Sequence, residues 1–337
     1  MVDLKTRYLG IELKNPIIVG ASNLCVDTEN LKKMEAAGAA AIVYKSLFEE
    51  QIQMESFQMD MDMQEYNERN AEMITLFPDI EHAGPKEFLH NLTKAREAVS
   101  IPLIASINAV SEGSWIDYAK KVEETGVNAI ELNFYHGLST TEKDGHSIIE
   151  EQLRILEAVK LKVSIPVSVK LSPFYTNIIR VVDMMDGRGA DGFVLFNRLF
   201  QPDINIDLEK HSFPYNLSSS EDMRLPLRFT GALYGAVNGS LCANSGIFSG
   251  RDVIALLLAG ADAVQVVSTL YKNQIGHITT MLREMEDWME SKDYKDIDAF
   301  RGKLSKRHIN DPFAYTRAQY IDILMKSDVI LNNYPMR

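Results

Sequence analysis

Cysteine is nearly absent from this chain: 337 residues contain two, Cys25 and Cys242. Two thiols so far apart build neither a disulfide framework nor the ligand set of an iron–sulfur cluster, and no Cys/His cluster with zinc spacing accompanies them. Redox chemistry, if the chain carries it, needs a cofactor from elsewhere. A basic surface is missing too. The formal net charge of −12 argues against nucleic acid and anionic lipid as partners. No apolar run approaches the roughly 20 residues of a membrane span, and the opening MVDLKTRYLGIEL lacks the apolar core of a signal peptide. The expectation is a soluble, cytoplasmic protein. No Gly-x-Gly-x-x-Gly follows the first apolar run, so an open doubly wound sheet with a dinucleotide site has no support. No internal repeat or low-complexity tract is detected.

What is present is a rhythm. Apolar runs of strand length recur at 15–22, 40–46, 102–108, 128–133, 166–171, 191–196, 240–244 and 262–267, making eight. They are continuously apolar rather than alternating, as strands covered on both faces require. Segments such as TENLKKMEAAGA and SWIDYAKKVEETGV carry helical spacing between them, with Gly near the end. Eight βα units predict a closed (β/α)8 barrel, a single domain spanning 1–337, with long insertions at the C-terminal face of the strands. The insertions are residues 47–82, with five methionines among acids and amides, and residues 197–239. The first reads as a lid, a subunit contact or a plain surface excursion.

Polar residues punctuate the strand ends. Lys45 closes the second strand, Asn108 the third, Asn133 the fourth and Lys170 the fifth, and Asn197 follows the sixth. A lone lysine after a strand is usually a solvated edge residue. Two lysines and three asparagines at five strand ends instead converge on one barrel mouth. Such a ring suits a flat, hydrogen-bonding, partly anionic ligand, and a flavin fits: amides bond its edge, and a lysine offsets the negative charge of its reduced ring. The last βαβ unit, CANSGIFSGRDVIALLLAGADAVQVVST, adds Asn244-Ser245-Gly246 and Ser268-Thr269. Loops after late barrel strands, with a helix N-terminus behind them, form a phosphate cup; a tight crossover turn is the other reading.

NPIIVGASN, GAAAIVYKS, IELN, PVSVKL, the SGIFSGRD and LLAGADAVQV tracts and the late DAFRGKLS, in that order from residue 4 to about 304, resemble the dihydroorotate dehydrogenase family, most nearly its soluble first class. The resemblance implies a barrel holding flavin mononucleotide (FMN) that oxidises dihydroorotate to orotate in pyrimidine biosynthesis. It implies flavin contacts at Ala21, Ser22, Lys45, Ser46, Asn133, Lys170, Ser245, Gly246, Ser268 and Thr269, with Gly231 added. It also implies substrate contacts at Lys45, Asn133 and Asn197. A homodimer and a separate electron-acceptor protein complete the expected partners.

The departures gather at the reaction centre. The family's first class reads Asn-Leu-Ser-Cys-Pro-Asn after the fourth strand, where this chain reads Asn133-Phe134-Tyr135-His136-Gly137-Leu138. His136 stands at the base position, and an imidazole with an ordinary pKa near 6.5 is competent to take a carbon-bound proton. Tyr135 is the less basic candidate, and a loop histidine that only packs is the bland reading. Leu138 replaces an amide, and a second substrate asparagine has no counterpart in 47–82. Four readings follow: dihydroorotate oxidation, FMN chemistry on a different small molecule, a non-catalytic flavin barrel acting through partners, or a phosphosugar-type barrel enzyme without flavin, which would have no need of two lysines and three amides around a flat ring.

Overall fold

The computed structural model describes residues 2–48, 86–108, 112–134, 143–198, 202–212 and 217–310, with the single positions 315, 321 and 325. The eight apolar runs form eight parallel strands: β3 (Ile17–Val19), β4 (Ala41–Phe48), β5 (Leu103–Asn108), β6 (Ala129–Asn133), β7 (Val167–Leu171), β8 (Gly192–Leu195), β11 (Ser240–Asn244) and β12 (Ala263–Val266). They close in the order β11-β12-β3-β4-β5-β6-β7-β8. Alternate side chains serve two cores. Ile17 and Val19 of β3 and Ile42 and Tyr44 of β4 face the outer helices, whereas Ile18, Ala41 and Val43 fill the lumen.

The outer ring comprises α1 (Thr28–Ala36), α2 (Lys86–Ala98), α3 (Glu112–Glu123), α4 (Gly145–Lys162), α5 (Ile178–Asp186), α6 (Arg224–Leu233), α7 (Gly250–Ala259) and, after the short α8 (Ser268–Asn273), α9 (His277–Ser291). Local sequence sets their ends. Asp27, Asp144 and Asn177 cap the starts of α1, α4 and α5 by accepting main-chain N–H bonds, and a Ser249–Asp252 capping box opens α7. Gly260, in the left-handed conformation at φ 119°, closes it and donates to Leu256 and Leu257.

Two hairpins lie outside the eightfold rhythm. β1 (Thr6–Tyr8) and β2 (Ile11–Leu13) pair through a turn at Leu9-Gly10, both at positive φ, as a tight hairpin turn requires. This hairpin plugs the base of the barrel, burying Tyr8, Leu9 and Leu13 against the lumen residues Ile18, Val194 and Cys242. The second, β9 (Asp203–Asn205) with β10 (Lys210–Ser212), lies in the stretch expected to be irregular. That stretch also supplies α6, the helix of the sixth βα unit. Of the other insertion, residues 49–85 lie outside the described residues.

An acceptor device recurs every second βα unit at the barrel base. Glu35, in α1, accepts from Ser100 N at 3.1 Å and Ile101 N at 3.2 Å, just before β5. Glu123, at the end of α3, accepts from Ser164 N and Oγ, both at 2.7 Å, before β7. Asp186, at the end of α5, accepts from Asn238 N and Gly239 N before β11. Between them, Asn128, Asp191 and Asp262 precede β6, β8 and β12 and accept the first N–H of β5, the first of β7 and the second of β11. Each follows a Gly-x-Asn/Asp triplet whose glycine, Gly126, Gly189 or Gly260, has positive φ. The structure thus reveals a two-unit repetition where the sequence was expected to have none. Its signature is only three residues long and is buried among ordinary turns.

Candidate active site

The strand ends meet at the C-terminal mouth. Lys170 and Asn133 are register partners across β7 and β6. The Asn133 amide oxygen accepts from Asn197 Nδ2 at 2.9 Å. Lys170 is only 6 % exposed. Its Nζ donates to Gln265 Oε1 at 3.1 Å and lies 3.5 Å from Glu131 Oε1. Gln265 in turn donates to Glu131 Oε2 at 2.6 Å. A buried cation, a buried carboxylate and an amide therefore form a triangle inside the lumen, which is how a charge is tolerated there. Below it, burial and the nearby Glu131 push the Cys242 thiol well above its usual range. Burial, with the neighbouring Cys242 and Glu131, does the same to the Tyr8 hydroxyl.

Above the triangle opens a cleft of about 210 Å³, lined by the apolar Ala21, Ile247, Val266 and Val267 and by the polar Lys170, Asn197, Arg198, Asn244 and Ser245. Arg198 is held by Asp222 at 2.8 Å. The cleft includes the loop expected to form a phosphate cup, with Ser245 at φ 86° and Gly246 at φ 75°. Glycine is required at 246 because a Cβ would run into the main-chain nitrogen of Met223. Ser218, 3 % exposed, bridges the two lips: its Oγ accepts from Gly246 N at 3.3 Å, and its N–H donates to Ser268 Oγ at 2.9 Å. The Lys272 ammonium fixes Ser218 by donating to its carbonyl at 2.9 Å. The N-terminus of α7 behind this loop is partly taken up by side chains of the fold itself. Asp252 takes the N–H groups of Phe248 and Ser249, and Glu284 takes that of Gly250, so its first donors are already satisfied.

Of the residues singled out in the sequence, Ala21, Lys170, Asn197, Asn244, Ser245, Gly246 and Ser268 line this cleft. Asn133 is tied to it through Asn197. Lys45 is half-buried on β4 outside the lining, next to Ser46, whose Oγ is 2.7 Å from Ser106 Oγ. Ser22 precedes a short helical turn, with its Oγ 3.8 Å from Cys25 Sγ. Thr269 is fully buried and accepts from Asn273 Nδ2 at 3.2 Å. Gly231 lies within α6, where the Tyr315 ring covers the space a side chain would need. His136, Tyr135 and Leu138 lie outside the described residues. Sequence reasoning passed over Glu131, Gln265, Arg198 and Ser218. The first two left a trace, since each is a polar residue flanked by apolar ones within its strand, IELN and AVQV. Ser218 left none.

Comparison with known proteins agrees with this architecture. The dihydroorotate dehydrogenase family model matches residues 3–289. The chain is 27 % identical over 314 residues, 91 % of its length and 100 % of the relative's, to the Thermoplasma volcanium protein named dihydroorotate dehydrogenase B (NAD(+)), catalytic subunit. It is 28 % identical over 282 residues, covering 80 % of this chain and 87 % of the relative, to the Methanocaldococcus jannaschii protein of the same name. Against the Lactobacillus helveticus dihydroorotate dehydrogenase A (fumarate) it is 29 % identical over 226 residues, 63 % of this chain and 71 % of that one. With a closed parallel barrel, a polar mouth and a match over nearly its whole length, the chain belongs to the dihydroorotate dehydrogenase family.

Proposed function

We propose that this protein is an FMN-dependent oxidoreductase that oxidises dihydroorotate to orotate in pyrimidine biosynthesis. The observation that carries the reading is Lys170: a buried ammonium held by Glu131 and Gln265 in a cleft lined by amides and apolar side chains. That donor set fits a flat, anionic, hydrogen-bonding ring system with a polar tail. Ala21, Lys170, Ser245, Gly246 and Ser268 would hold the FMN, with Ser22, Lys45, Ser46, Asn133, Thr269 and Gly231 as the further contacts expected. When bound, FMN supplies an acceptor for the hydride leaving the substrate. The protein's own work is to position, polarise and move protons. Lys170 presents positive charge where negative charge develops. The Asn133–Asn197 amide pair offers donors and acceptors to the substrate ring, with Lys45 reaching it from β4. His136 accepts the proton from the adjacent substrate carbon on a ring nitrogen.

Reoxidation follows one of two routes: a separate electron-acceptor protein, in keeping with relatives named as catalytic subunits, or fumarate, in keeping with those named for it. A second reading, a different small-molecule substrate, is favoured by Leu138 at an amide position and by Arg198 in the cleft wall. Losing an amide that pairs a buried ligand group costs about 1–3 kcal/mol. The deciding experiment is the visible spectrum of the purified protein, followed by anaerobic addition of dihydroorotate. A flavin band that bleaches supports the first reading. One that persists favours the second, and an intact protein with no band rejects FMN.

A further inference from the structure

At the barrel base, the end away from the cleft, the N-terminal hairpin, the loop after α6 and the starts of β8 and β11 enclose an open cavity of about 720 Å³. That volume falls in the roughly 300–1,000 Å³ of small-molecule sites. Three carboxylates and three guanidinium groups border it, and their pairing is uneven. Asp186 accepts from Asn238 N, Asn238 Nδ2 and Gly239 N. Asp191 is taken by Lys160 and Val167 N. Asp262 is taken by Leu241 N and Arg301, and Arg301 also binds Asp298. All three acids and one arginine are therefore satisfied within the fold.

Two arginines remain. Arg7 donates one N–H, from Nε, to Gly10 O at 3.2 Å, and among the described residues it has no ion pair although it sits in register with Glu12 on the paired strand. Arg307 makes no hydrogen bond or ion pair among the described residues. It is nevertheless placed, because it lies flat on the main chain at Gly235. An added Cβ there would be 2.5 Å from Nη1 and 2.7 Å from Cδ. Gly235, at φ 72°, is the residue that allows this approach. Two guanidinium groups without an ion pair among the described residues, on one concave surface, stand out in a chain with 47 acidic and 35 basic residues.

We propose that this cavity is a second binding site, for a small phosphorylated molecule whose phosphate is held by Arg7 and Arg307. Guanidinium is the side chain matched to phosphate, through paired N–H donors in a rigid fork. The partly buried Tyr234 and Val237 supply an apolar surface for the rest of the ligand. The ligand is an effector or stabiliser and not a substrate, since barrel chemistry belongs to the opposite face. It would brace β11, whose far end carries Asn244 and leads into Ser245 of the mouth cleft.

The test is calorimetric and thermal titration of the purified protein with inorganic diphosphate. The expected result is saturable one-site binding that raises the melting temperature. Arg307→Ala or Arg7→Ala should weaken it about tenfold or more, and the double variant should abolish it. Both side chains are exposed, so the variants fold. Arg307→Lys, which keeps the charge but loses the fork, should bind more weakly than the parent. Diphosphate lodged at the mouth is told apart because it is displaced by FMN and unaffected by the base variants, so the result stands whether or not the mouth holds a flavin. No saturable binding at millimolar diphosphate, or equal affinity in the double variant, overturns the proposal.

Discussion

The ammonium of Lys170 and the carboxylate of Glu131 are 7 % and 1 % exposed at the side chain, so each depends on the other and on Gln265 for the solvation it has lost. Removing one partner leaves an uncompensated buried charge. Glu131→Leu should therefore destabilise the protein by about 3–5 kcal/mol, whereas Glu131→Leu/Lys170→Met should recover much of that loss. Urea unfolding of the two singles and the double measures the coupling; additive losses would show that the triangle is not an energetic unit. The thiols make a second residue-scale case. Burial raises the Cys25 thiol to about 11 and the Cys242 thiol well above its usual range, and both are fully buried. Neither should react with a thiol reagent at pH 8 in the native state, and both should react after unfolding. A native thiol that reacts at once would contradict their placement. The third case concerns His136. Flavin reduction by substrate should rise with pH through an apparent pKa near neutrality, and His136→Ala should slow it by about 10²–10⁴-fold with flavin still bound. An unchanged rate in stopped-flow reduction removes His136 from the chemistry.

At the scale of elements, the alternating clamps explain how short strands hold register. β8 and β12 contribute four residues each and β3 three, yet the first or second N–H of β5, β7 and β11 ends on a side chain just before the next strand. Asp191→Ala strips the acceptor from Val167 N, which is fully buried. Such a bond to a charged group is worth about 1.5–3 kcal/mol, and the loss should appear in the urea midpoint; a change below about 0.5 kcal/mol would make the clamp incidental. Glu123 gives the pH signature. Lys120 and Ser164 hold its carboxyl down from 4.5 to about 2. A carboxyl lowered in the folded state adds stability above its unfolded pKa, and that stability is lost as pH falls from about 4.5 toward 2. Glu123→Gln should flatten the acid limb of a melting-temperature profile over that window. The eight barrel strands were legible because strands covered on both faces must be continuously apolar, and the runs at 102–108 and 128–133 are almost the observed β5 and β6. The hairpin of β1 and β2 was less so, since three-residue strands give alternation too little length to register.

For the molecule as a whole, the mouth was readable and its wiring was not. Lys170, Asn133 and Asn197 stand at strand ends, where any barrel brings residues together. Ser218 and Arg198 are carried in by an insertion whose path no periodicity reports, and the partners of Lys170 come from strands far off in sequence. The cleft also straddles the closure of the barrel: Ala21 follows β3 and Val266 ends β12, the two strands that meet there, with Gly20 N donating to Val266 O at 3.1 Å. A ligand spanning Ala21, Lys170, Asn197, Ser245 and Ser268 ties β3, β7, β8, β11 and β12 together across that seam. Removing FMN should therefore lower the melting temperature of the entire barrel in one transition. At a free flavin concentration 100-fold above Kd the linkage is worth about 2.7 kcal/mol, or ~5 °C for a chain of this size. Reloading should restore the loss, and Lys170→Ala should shrink the difference between loaded and stripped protein. Amide exchange should quicken first at Gly20 and along β12 in the stripped form. Stoichiometric flavin with identical melting in both forms would mean that the cofactor sits elsewhere than across this seam.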